Sequence, residues 1–142
     1  MTNFTTRMMI AAATLVVAAG SASAQVLKAE IPFTFRAAGV VMAGGKYEVT
    51  ADQTNGRPMY RLYSEQEHRS ILLMAGAARD PQKAWKASGE PLLSFECSSS
   101  RCALSGVWAG SATPAYSIPH PRLGRDEPTH TALVVMRPDK GD

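Results

Sequence analysis

Two cysteines, three histidines and two tryptophans are all that 142 residues hold of those types, and aromatics make up only 7% of the chain. The missing motifs exclude whole classes of chemistry. There is no C-x-x-C redox pair and no G-x-S-x-G nucleophile elbow. No glycine-rich phosphate loop follows a strand pattern, so no nucleotide and no other cofactor is expected. The 15 basic side chains are scattered among 12 acidic ones, without the basic run of a nucleic-acid track. No apolar stretch approaches the roughly 20 residues of a membrane span. Nine prolines and eleven glycines show no collagen period. Charged residues at 19% and hydrophobic ones at 45% do not fit a disordered chain. The length suits a single domain without internal repeats.

What is present begins with an address. In MTNFTTRMMIAAATLVVAAGSASA, Arg7 is the only charge, and it precedes an apolar stretch from Met8 to Ala19. Ala22-Ser23-Ala24 then supplies the small-x-small site of signal peptidase. The sequence therefore predicts a signal peptide over 1–24 and a single β-rich domain over 25–142, exported to the periplasm or cell exterior. Cleavage removes 24 of the 142 residues and leaves 118. Arg7 is the only charge lost, so the net charge falls from +3 to +2.

Export places Cys97 and Cys102 in an oxidising compartment. They close the ends of two β-like runs, Leu92 to Cys97 and Cys102 to Trp108, around Ser98-Ser99-Ser100-Arg101. A four-residue connection is a common hairpin loop, and it sets the two cysteines opposite one another. A structural disulfide is expected, since C-x₄-C offers only two of the four ligands a zinc ion needs. The closed loop is short, so the bridge contributes about 2 kcal/mol or less.

Period two dominates the rest. Ile31, Phe33 and Phe35 share one face, opposite Glu30, Thr34 and Arg36, with Pro32 marking an edge or bulge. Gly44-Gly45 reads as a turn before the Lys46–Thr50 alternation. Asn55-Gly56 is the strongest short-range turn signal, and Met59–Tyr63 returns from it with Tyr60 and Leu62 facing inward. Arg69 to Ala78 is a continuous apolar run that fits a central strand or a buried helix, and Ser70–Met74, short and ended by Gly76, is read as a strand. Asp80-Pro81 predicts an N-cap and first helical residue, opening one short helix to about Ala87 anchored by Trp85. Arg79, Lys83 and Lys86 fall on its solvated side. Residues 112–128 carry Pro114, Pro119, Pro121 and Pro128 and must be extended or looped, before a closing strand from Thr129 to Met136. About seven antiparallel strands and one helix make an all-β sandwich or small barrel.

Ile31-Pro32-Phe33-Thr34-Phe35, then Ala43-Gly44 leading to Tyr47-Glu48-Val49, then Leu104-Ser105-Gly106-Val107-Trp108 resemble a group of small exported bacterial proteins. Those proteins begin with I-P-F-x-F, run through a P-A-G turn into a Y-x-V strand, and end a later hairpin with L-S-x-V-W. The likeness covers most of residues 29–108. Met42 stands where that family usually has proline, and Cys97 and Cys102 replace larger polar or aromatic residues. The family has no assigned activity, so the resemblance implies a fold and export but no catalytic residue. It marks Ile31, Phe33, Phe35, Tyr47, Val49, Leu104 and Trp108 as core.

The candidates for chemistry are few. His120 lies in Pro119-His120-Pro121-Arg122, and Glu127-Pro128-Thr129-His130 has E-x-x-H spacing. Pro128 breaks the helix that would align that pair, so neither is assigned as a metal ligand. Asp126 and Glu127 are neighbours in an extended loop and point in opposite directions. Ser98–Ser100 reads as a hairpin tip. Two function classes stay open. One is a non-enzymatic binding module for a protein, glycan or small ligand. The other is a small hydrolase, metal-dependent if anything, built on the 120–130 loop. Convergence of His120, Asp126, Glu127 and His130 in one cleft separates them.

Overall fold

Alternation of apolar and polar residues writes most of the chain as strands. In the computed structural model the described residues are 26–54, 57–111, 113–123 and 126–139. The expected signal peptide, the Asn55-Gly56 turn and residues 140–142 lie outside them. The strands are β1 (Val26–Ile31), β2 (Phe35–Ala37), β3 (Val40–Met42), β4 (Gly45–Thr54), β5 (Arg57–Ser64), β6 (Arg69–Met74) and β7 (Ala78–Arg79). After the helix α1 (Lys83–Ser88) come β8 (Leu92–Cys97), β9 (Cys102–Trp108), β10 (Ala115–Ser117) and β11 (His130–Pro138). The protein is all-β with one short helix. The strand count exceeds the expected seven because short arms such as β2, β3 and β7 pair separately.

One mixed sheet runs in the order β3-β2-β9-β8-β11-β1-β4-β5-β6, with β10 joining β9 to β7. The pair β2–β9 is parallel, at Arg36 and Ala103; the others are antiparallel. The sheet curls into a half-barrel outline. Past β6 the chain crosses to the far side, where the Gly76 amide donates to Ser117 O at 2.7 Å and the Ser117 amide to Ala77 O at 3.2 Å. Arg69 Nη2 also donates to Val41 O at 2.6 Å, tying β6 to β3 from opposite ends of the sheet order.

The concave face holds the core. Ile31, Phe35, Tyr47, Val49, Leu62, Phe95, Leu104 and Met136 are all buried there. Phe35 meets Tyr47 and Phe95 edge-on, each with ring centroids 5.4 Å apart. Fully burying such a side chain is worth about 1.5–3 kcal/mol, so this face dominates the stability. Phe33 is only half-buried, because the ladder lapses at Pro32–Thr34, but its ring still packs on Phe95 at 5.0 Å. That lapse leaves Gly44 against the chain. A Cβ there would lie 3.0 Å from Ile31 O and 3.1 Å from Phe33 N.

Trp108 is fully buried, but on the other face of the sheet. Together with Leu92, Ala115 and Trp85 of α1 it forms a second, smaller cluster. Its indole N–H donates to Thr113 O at 2.9 Å, satisfying the one polar atom that burial would otherwise strand.

Two local expectations are corrected. The helix does not start at Pro81: Gln82 takes the N-cap position with extended backbone and no side-chain cap bond. Arg79 is held in β7 opposite Ala115, so the chain must leave that strand before it can turn. β6 is a strand but not a central one. It ends the sheet order, and Leu72 and Met74 are 58% and 68% exposed on its outer face.

Candidate functional site

The hairpin β8–β9 brings Cys97 and Cys102 opposite each other, and they are bonded. Around the loop, the Ser98 amide donates to Arg101 O at 2.7 Å, which fixes the start of β9. Beyond the bridge, alternation turns Leu93, Phe95 and Cys97 to the core and leaves Leu92, Ser94 and Glu96 on the outer face. Ala103 shares that outer side, flanked by Arg36 of β2 and Glu96 of β8 in register.

Residues 119–123 fold over this patch. Leu123 is buried against it. His120 Nε2 donates to Glu96 Oε2 at 2.7 Å, and His120 Nδ1 lies 3.1 Å from Ile118 O. A small alanine on the sheet beneath a proline-stiffened loop leaves space between them. The result is a recess of about 210 Å³. Ala37 and Ala103 are buried residues of its lining, and Arg36, Arg101, Arg122 and His120 supply its polar part. The three arginines are exposed. Among the described residues none of them forms an ion pair.

A larger, shallower groove of about 760 Å³ crosses the outer face of β11, β1 and β4. It carries both charge signs, and Lys28 is already paired there with Glu65 and Asp139 at 3.7 Å each. The groove neutralises itself; the recess does not.

The four residues whose convergence would mark a hydrolase do not meet. Asp126, Glu127 and His130 are exposed, and His130 opens β11 opposite Cys97. No three His, Cys, Asp or Glu side chains gather to hold a metal among the described residues. His120 is the exception to a bland surface reading, since its side chain is only 22% exposed and it is paired with Glu96. Both its ring nitrogens face acceptors. His68 lies apart, 3.2 Å from the Tyr63 hydroxyl.

In the interior, burial and then the neighbouring Tyr116 push the Tyr60 phenol up to about 12. Burial also raises Tyr47, whose hydroxyl donates to Ala43 O. Both belong to the core cluster.

Sequence reasoning missed Arg36, Arg101, Arg122 and Glu96 as a set. Alternation did place Arg36 on the outer face, but the parallel β2–β9 contact that joins it to the hairpin has no local signal. Among the described residues no helix is long and apolar enough to cross a membrane. Comparison with family models, with curated proteins and with solved structures gives no match.

Proposed function

We propose that this chain is an exported, non-enzymatic β-domain that acts as a binding module of the periplasm or cell exterior, with the recess beneath residues 119–123 as its ligand site. The observation that carries the reading is that recess, with three arginines on its lining and no ion-pair partner among the described residues. Export is supported by the signal-like residues 1–24 and by the Cys97–Cys102 disulfide, a bond at home in oxidising compartments. A site of this size takes a small molecule or one end of a larger one, since whole drug-sized ligands occupy roughly 300–1,000 Å³. The hydrolase reading has no observation in its favour, because the loop's acidic residues and His130 stay apart.

Fractionation of producing cells, followed by mass spectrometry of the natively purified protein, tests this. The expected result is a chain starting at Gln25 in the envelope or medium that releases a low-mass compound on denaturation. Ala38→Tyr places a large ring on the lining of the recess, at an exposed position that already carries a Cβ at φ 53°. A folded Ala38→Tyr protein should release none of that compound. A cytoplasmic chain that keeps Met1, or equal release from both proteins, contradicts the reading.

A further inference from the structure

We infer that the ligand of this recess is a multiply charged oxyanion, a phosphate or phosphate ester, gripped by Arg36, Arg101 and Arg122; this rests on the binding-module reading above. Each arginine comes from a different part of the fold. Arg36 belongs to β2, Arg101 closes the hairpin loop, and Arg122 sits on the covering loop. Such a gathering of like charges repels itself and persists at a cost unless an anion offsets it.

The local carboxylates do not supply that anion. Glu96 is the acidic side chain nearest in register to Ala103, and it is engaged by His120 at 2.7 Å. Among the described residues no ion pair joins it to any of the three arginines. His120 in turn is held at both ring nitrogens, so it acts as a pillar of the recess wall. Guanidinium groups present paired N–H donors that match the oxygens of phosphate and carboxylate. Three of them favour a dianion over the single charge of a carboxylate. The small side chains of Ala37 and Ala103 in the lining and the volume of about 210 Å³ admit a tetrahedral oxyanion with a short substituent. The wider groove over β1 and β4 offers no such imbalance, since Lys28 there is met by Glu65 and Asp139.

Calorimetric titration at constant ionic strength tests the assignment, using inorganic phosphate, glycerol phosphate and acetate as probes. Phosphate or its ester should bind saturably and more tightly than acetate, and the tighter of the two tells whether the free ion or an ester is the ligand. Arg36→Gln and Arg122→Gln should each weaken it about tenfold or more, the loss of a charge-assisted hydrogen bond. Arg79→Gln and Arg137→Gln, exposed arginines outside the recess, should leave it unchanged. If all four variants weaken binding alike, or acetate binds as well as phosphate, the assignment is overturned. If no anion binds while a neutral compound from the envelope occupies the recess, the oxyanion fails and the binding module stands. If nothing occupies it, both fail.

Discussion

At the scale of single residues, Trp108 and Tyr60 show how burial is made tolerable. Trp108 is fully buried with its N–H bonded to Thr113 O, so truncation removes a large apolar body and leaves a cavity. Trp108→Ala should cost about 3–5 kcal/mol, measured by urea denaturation. Because its cluster is the one that seats α1, the loss should also free Trp85, seen as a red shift of the remaining indole emission. Tyr60 keeps its proton to about pH 12 in the fold, whereas an unfolded tyrosine loses it near 10. Above pH 10 the unfolded chain therefore binds fewer protons than the native one, and stability falls as pH rises. The contribution is complete below pH 10 and is lost on the way to about 12. Denaturation midpoints at pH 8 and pH 11 should drop more for the native protein than for Tyr60→Phe, which has no proton to lose.

At the scale of elements, the hairpin and the helix cap are the clearest tests. Replacing both Cys97 and Cys102 by serine should cost about 2 kcal/mol or less and leave the far-UV spectrum unchanged, since so short a loop restricts the unfolded chain little. Gly89 ends α1 at φ 68° and donates its amide to Trp85 O, in a place where a Cβ would meet nothing within 4 Å. Gly89→Ala should therefore lose roughly 1 kcal/mol from backbone strain alone, and Gly89→Asn should lose less. The same elements show what the sequence could and could not reveal. β8 and β9 were legible to the residue, because alternation, a polar tetrapeptide and two cysteines all mark the same closing pair. The start of α1 was not, because the Asp80-Pro81 signal is local and the pairing of Arg79 with Ala115 is not. β6 read as two-sided burial from its apolar run, yet Leu72 and Met74 face outward at the end of the order. The recess was illegible for the same reason: Arg36 reaches the hairpin that carries Arg101 through one parallel contact at Ala103, and Arg122 arrives on a loop folded back across it.

At the scale of the whole molecule, the curl of the sheet unites these parts. It encloses the core on the concave side, and on the outer face of β8 and β9, α1 covers one end and residues 119–123 the other. Arg69, bonded to Val41 O and to Glu67 at 2.8 Å, ties β6 to β3 from the far end of the sheet order. Arg69→Ala should cost about 1 kcal/mol, since the pair is largely exposed. Amide exchange should quicken at Val40–Met42 while β8 and β11 keep their protection. The most direct measurement of the claim that the outer recess is the binding site is a ¹H–¹⁵N NMR titration with inorganic phosphate. Amides of Ala37, Gly39, Ala103 and His120 should shift together and saturate, with Lys46 and Glu65 on the outer groove unmoved. Shifts that are spread over the basic residues generally and grow linearly with phosphate would mean that the arginines are ordinary surface charge, and the recess no site at all.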